Sequence, residues 1–173
     1  MTMSKRLAHS ASKIASSYSA GVDRPLGGYL TTMGTYSAVV GALAGAVAVS
    51  GRDIPPDGLS PYEVLLAAAA THKISRLITK DPVTSPLRAP FTSYDGTSGP
   101  AELTEEVRGH GARKTVGELV TCPFCTSVWV GTGLTAGMIF VPKVTRLVMG
   151  AFSALAGADM LQFAHAWLVK ATS

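Results

Sequence analysis

The residues of this chain best suited to chemistry are its two cysteines, Cys122 and Cys125, which flank a Pro-Phe pair. Pro123 fits the first turn of a helix, and Thr121 is a suitable cap for that helix. Cysteines three residues apart at a helix start lie on one face, where the helix dipole and the free N–H groups favour a thiolate. The pair therefore offers a dithiol for thiol–disulfide exchange, or two of the four ligands of a tetrahedral zinc site.

Three roles stay open for this pair. Cys-Pro-Phe-Cys resembles the glutaredoxin motif, but no βαβ pattern surrounds it, so the fold context of that family is missing. A metal site needs further ligands, from His110 or from a second copy of the chain, and the metal is not identified by the sequence. The third role is structural packing at the start of a helix. The sequence assigns no catalytic residue, implies no cofactor and favours a non-enzymatic protein.

A second candidate site consists of ionisable residues inside apolar segments. Asp159 lies 12 residues into the last apolar segment, and Lys73 lies 12 residues into an earlier one. At helical rise the two lie at about the same depth, roughly 18 Å from one membrane face. We therefore predict that Asp159 pairs with Lys73 or with Arg76, as a pair that satisfies itself or as part of a proton or ion pathway.

The elements that must position these residues are long apolar segments. No charged residue occurs in 26–51 or in 119–142, and Asp159 is the one formal charge in 147–169. About 20 apolar residues suffice to cross the hydrocarbon core as a helix. A fourth segment, 61–79, has a shorter apolar core and a basic end that can snorkel to the interface. The sequence predicts an all-α integral membrane bundle of about four transmembrane helices. The predicted spans are near 28–50, 61–79, 122–141 and 147–169.

The polar segments predict the topology. Residues 1–25 are basic and Ser-rich, typical of a tail or an interfacial helix ahead of a transmembrane domain over 26–173. The connection over 80–121 contains an acidic patch and is long enough to be functional or loosely ordered. Lys and Arg are concentrated in 1–25 and 80–121, so the positive-inside rule places both termini and this loop in the cytoplasm. Thiols are kept reduced there.

The basic residues are scattered around apolar segments and form no run, so the net charge of +4 does not indicate a nucleic-acid partner. We expect contacts with the lipid bilayer, and a homo-oligomer or a larger membrane complex as the protein partner. Gly41-x-x-x-Gly45 and Gly133-x-x-x-Gly137 support such contacts, because small residues let helices approach closely.

Two stretches, 71–91 and 117–131, together resemble the DUF1360 family of small bacterial membrane proteins of uncharacterised function. The positions that carry the resemblance are Arg76, Asp81, Pro86, Arg88, Cys122, Cys125 and Trp129. The resemblance covers roughly residues 60–169 and implies a location in a bacterial cell membrane. It also suggests a site at the inner membrane face, where Arg76, Asp81 and Arg88 would lie beside the cysteine pair as a docking surface or a small active site.

From these observations we expect a multi-pass structural or accessory subunit of a membrane assembly. The alternative is a membrane thiol–disulfide or metal-responsive protein that uses Cys122 and Cys125.

Overall fold

The computed structural model describes residues 9–10, 13–18, 24–52 and 58–172, and the chain is mostly helical. The principal elements in chain order are α1 (Leu26–Ser50), α2 (Pro61–Lys80), a 3₁₀ turn (Pro82–Thr84), α3 (Ser85–Arg88), β1 (Thr92–Gly99), β2 (Glu102–Val107), α4 (Ala112–Thr121), α5 (Pro123–Phe140) and α6 (Pro142–Thr172). The tail or interfacial helix predicted over 1–25 lies largely outside the described residues, although 13–18 are helical.

Three helices among the described residues are long and apolar enough to cross a membrane, namely α1, α5 and α6. α6 begins at Pro142, five residues before the predicted span, because a proline suits the first position of a helix. α2 is not among the three. It has the length of a span, but Glu63, Lys73 and Arg76 lie within it. The predicted fourth span is therefore α2, and the bundle has four spans only if this helix crosses the membrane.

Neighbouring helices run in alternating directions. At the end of the bundle remote from residues 81–121, which we call the far end, Arg146 near the start of α6 donates to Glu63 near the start of α2, with Nη2 and Oε1 2.7 Å apart. At the same end, Arg52 just after α1 approaches the carbonyl of Ile139 at the close of α5. Thus α1 and α5 run towards the far end, and α2 and α6 run away from it.

The core lies between α2, α5 and α6. Its buried apolar members are Ala70, Met138 and Met149, and the partly buried side chains around them are Leu66, Ala67, Ile74, Leu134 and Phe152. α2 packs against both α5 and α6, so it is the central helix of this group. Gly137 permits the close approach of α6 to α5, since a Cβ there would lie 2.5 Å from the Thr145 hydroxyl.

α1 attaches to the opposite side of α5 through polar and aromatic side chains. Its Tyr29 hydroxyl donates to Glu118 of α4 at 2.5 Å. About two helical turns further into the bundle, Tyr36 lies edge-on to Trp129, with ring centroids 5.2 Å apart, and its hydroxyl is 2.9 Å from that of Thr132. One face of α1 therefore contacts the bundle.

Residues 81–121 form a layer over one end of the bundle, which we call the cap. β1 and β2 pair antiparallel within it, from Thr92 opposite Val107 to Gly99 opposite Glu102. α4 packs closely on this hairpin, because a Cβ at Gly117 would lie 2.5 Å from a methyl group of Val107. The hairpin was not predicted from the sequence, which indicated only a long polar connection in this place.

Candidate functional site

Arg88 is the most deeply buried charge in the described part of the chain. Its guanidinium makes a bidentate pair with Glu105 of β2, with Nε–Oε2 at 2.6 Å and Nη2–Oε1 at 3.1 Å. It also donates to the carbonyls of Ile78 and Asp81 and to the Thr84 hydroxyl, at 2.7, 3.1 and 2.7 Å. An arginine has five N–H donors, so every one is used.

These contacts make Arg88 a clamp between the cap and the bundle. The Ile78 carbonyl belongs to the last turn of α2, where backbone acceptors have no helical partner. The side chains of Arg88 and Glu105 are only 1% and 6% exposed. A buried pair with all its donors satisfied holds two elements in a fixed geometry, and it leaves no group free for a substrate.

The other two residues of the predicted inner-face cluster have different partners. Arg76 on α2 forms an ion pair with Glu102 at the start of β2, and these side chains are 40% and 25% exposed. Asp81 accepts a hydrogen bond from the Val83 amide at 2.8 Å, so it caps the 3₁₀ turn. The structure therefore gathers these residues around the end of α2, where Arg76 bonds to the cap, and Asp81 and Arg88 belong to it.

Lys73 and Asp159 lie together between α2 and α6, with Nζ and Oδ2 2.6 Å apart. Both side chains are partly exposed, at 21% and 41%. The prediction left Arg76 as an alternative partner for Asp159, but the structure gives Arg76 to Glu102. The contact joins α2 to α6.

A cleft of about 990 Å³ opens beside these pairs. It lies between the second half of α2, the turn of the hairpin and the second half of α6. Its charged lining comprises Lys73, Arg76, Lys80, Asp81, Glu102 and Asp159. We call it the cap-end cleft.

The cysteine pair lies apart from the cleft, at the start of α5. Both thiols are free, Cys122 half-buried and Cys125 exposed. Thr121 was predicted to cap this helix, and that prediction is wrong: the Cys122 sulfur accepts from the Cys125 amide at 3.3 Å. The Thr121 hydroxyl instead donates back to the Gly117 carbonyl within α4. The helix start therefore uses Cys122 as its cap.

No group of three or more His, Cys, Asp or Glu side chains suited to a metal ion occurs in the described ranges. His110, considered as a further ligand, lies in the turn before α4 and is exposed. The geometry thus gives the metal-responsive alternative no support.

The sequence did not predict which carboxylates pair with Arg76 and Arg88, and it did not predict that Lys80 lies in a cleft. Glu102 and Glu105 were recognised as part of an acidic patch, but not as the partners of Arg76 and Arg88. The available signal was charge complementarity between this patch and the basic end of α2. Lys80 lines the cleft, and its side chain makes no hydrogen bond or ion pair with any described residue.

Comparisons with known proteins show the family of this chain and a curated relative. The family model described as "Protein of unknown function (DUF1360)" matches residues 65–165. The Sporulation protein YjcA of Bacillus subtilis is 28% identical over 99 residues, which cover 54% of this chain and 84% of that protein. No solved structure matches. The matched region contains α2 from its first turns, the whole cap, α5 and most of α6, and this chain belongs to the DUF1360 family.

Proposed function

We propose that the protein is a four-span membrane subunit whose termini and cap lie in the cytoplasm, and whose α1 docks onto another transmembrane helix. The first support is the position of α2. Its 20 residues extend about 30 Å, enough for a span. It packs between α5 and α6, and its Lys73 has a carboxylate partner on α6. Charged residues inside a membrane are tolerated when they face the bundle interior and pair.

The distribution of basic residues supports the orientation. The far end of the bundle has three, which are Arg52, Lys143 and Arg146. The cap end has seven within residues 24–52 and 58–172, which are Arg24, Lys80, Arg88, Arg108, Arg113, Lys114 and Lys170. Short segments rich in Lys and Arg stay on the cytoplasmic side. The cap and the exposed Cys125 therefore face the cytoplasm in this proposal.

The docking surface is the face of α1 turned away from the bundle. Small residues recur along it at helical spacing, and all are exposed: Gly27, Thr31, Gly34, Ala38, Gly41, Gly45 and Ala48. At 3.6 residues per turn this stripe lies opposite Tyr29 and Tyr36, which contact the bundle. A Cβ added at Gly34, Gly41 or Gly45 would meet nothing within 4 Å.

The outward direction of this small-residue face of α1 is the observation that carries the proposal of an accessory subunit. A small-residue face lets two transmembrane helices come close enough for backbone packing, and it loses that advantage against lipid chains. In this chain the bundle itself does not use the face. A neighbouring helix, from a second copy or from another subunit, is the partner that fits.

Gly41→Leu combined with Gly45→Leu tests this function. Neither leucine meets an atom of its own chain, so the variant should fold, and replacing glycine raises helix propensity. We expect the double variant to lose its oligomer or its co-purifying subunit in mild detergent, with the particle mass measured by light scattering. Ala44→Leu, an exposed position of the same helix off the stripe, is the control and should keep it. A wild-type protein that runs as a lone monomer, or equal behaviour of both variants, would contradict the proposal.

A further inference from the structure

The cap-end cleft has the size and the composition of a ligand site. Its volume of about 990 Å³ is at the upper end of the range for small-molecule sites, which is roughly 300–1,000 Å³. Its wall on α6 presents Met160, Phe163 and Ala166, and α2 contributes Leu77. Apart from Asp159 and Gln162, which also line it from α6, this side of the cleft is mainly apolar, and it follows a helix that is long enough to cross a membrane.

The charged groups of the cleft are only partly paired. Lys73 is taken by Asp159, and Arg76 by Glu102. The side chain of Lys80 makes no hydrogen bond or ion pair with a described residue, although Lys80 is half-buried. The lining therefore keeps one ammonium available for an acidic ligand group.

The carboxylates also retain unused oxygens. Glu102 bonds Arg76 through Oε1, and Asp81 bonds the Val83 amide through Oδ1. The second oxygen of each accepts no hydrogen bond from the described residues, and neither carboxylate is buried. A ligand that complements this cleft carries an acidic group for Lys80 and a cationic group for Asp81 and Glu102.

We infer that the cleft binds a phospholipid with an amine headgroup. Its phosphate diester is held by the Lys80 ammonium, its own ammonium lies against Asp81 and Glu102, and an acyl chain follows Phe163 along α6. Three properties of the cleft favour this ligand: charges of both signs that sum to zero, an apolar wall continuous with a candidate span, and a position at one end of the bundle, where headgroups lie. The inference rests on the proposed membrane placement of α2 and α6.

Native mass spectrometry of the detergent-solubilised full chain measures this binding directly. Dioleoyl phosphatidylethanolamine is titrated against the protein, with dioleoyl phosphatidylglycerol as the anionic lipid and phosphoethanolamine as the headgroup without chains. We expect dioleoyl phosphatidylethanolamine to bind more tightly than dioleoyl phosphatidylglycerol or phosphoethanolamine. Lys80→Met should weaken it at least about tenfold, the effect of one charge-assisted hydrogen bond.

Two further variants separate binding from folding. Asp81→Asn keeps a side-chain oxygen for the Val83 amide, so the turn stays capped while the charge is lost, and it should reduce the preference for the amine headgroup. Lys143→Met removes an exposed lysine at the far end and should change nothing. Equal binding of the two lipids, equal binding of phosphoethanolamine, no adduct, or an unaffected Lys80→Met variant would overturn the inference. Lipid binding is measured as an added mass on the single chain, whereas α1 docking is measured from the mass of the oligomer or complex. Failure of the one is therefore distinguishable from failure of the other.

Discussion

The Arg88 clamp makes a prediction whose size follows from burial. Arg88→Met removes all five hydrogen bonds of the guanidinium and leaves the Glu105 carboxylate buried without a cation. Breaking a buried ion pair from one side costs about 3–5 kcal/mol. Each 1.4 kcal/mol is a factor of ten in an equilibrium, so the open population of the cap should rise roughly a hundredfold to a few thousandfold.

Arg76 provides a matched control. Its arginine–glutamate pair links α2 directly to β2, whereas Arg88 of α3 pairs with β2 and reaches α2 through the Ile78 carbonyl. Its side chain is 40% exposed, so Arg76→Met should cost about 1 kcal/mol or less. The cap should then open no more than about fivefold more often than in the wild type.

Trypsin cleavage at Arg108 and Arg113 measures cap opening, because both lie in the segment between β2 and the first turn of α4. Cleavage follows the open population when reclosing is fast. The double variant Arg88→Met, Glu105→Met should recover much of the loss, since an apolar pair can replace a buried ion pair. Equal cleavage of the Arg88→Met and Arg76→Met variants, or no recovery in the double variant, would refute the clamp.

Two other contacts make predictions of their own. Asp159→Lys should destabilise the bundle and lower assembly, and adding Lys73→Asp should restore both. A double-mutant cycle measured by reversible unfolding in detergent should give a coupling free energy of about 0.5–3 kcal/mol between the two positions. A coupling free energy of zero would show that the pair does not join α2 to α6. Cys122→Ala should lower the free energy of unfolding by about 0.5–2 kcal/mol, because the N-terminal cap of α5 is lost. Cys122→Ser should keep this free energy close to that of the wild type, because its hydroxyl can replace the sulfur as the cap. An equal loss in both variants in the same unfolding assay would exclude a capping role.

The long apolar segments were predictable because hydropathy and length are local properties of the sequence. α1, α2 and α5 begin and end within two residues of the predicted spans. The helical rise also put Lys73 and Asp159 at one depth, and they lie 2.6 Å apart in the structure. Position along a helix follows from counting residues, without knowledge of packing.

The cap was not predictable in the same way. β1 consists mainly of Thr, Ser and Gly, without the alternation of apolar residues that identifies a strand. Its hairpin is fixed by partners distant in sequence, such as Glu105, which lies 17 residues after Arg88. An arginine is normally read as a surface residue, so nothing local to Arg88 indicates its burial. The orientation of the small-residue face of α1 likewise required the positions of Tyr29 and Tyr36.

Labelling on the two sides of the membrane measures whether α2 passes through it. Single cysteines replace Leu59 before α2 or Ser98 in the hairpin, in a chain where Cys122 and Cys125 are serine. Spheroplasts are treated with a membrane-impermeant maleimide, with and without permeabilisation. We predict that the cysteine at position 59 reacts in intact spheroplasts and that the one at position 98 reacts only after permeabilisation. Reaction of both from the same side would show that α2 does not cross.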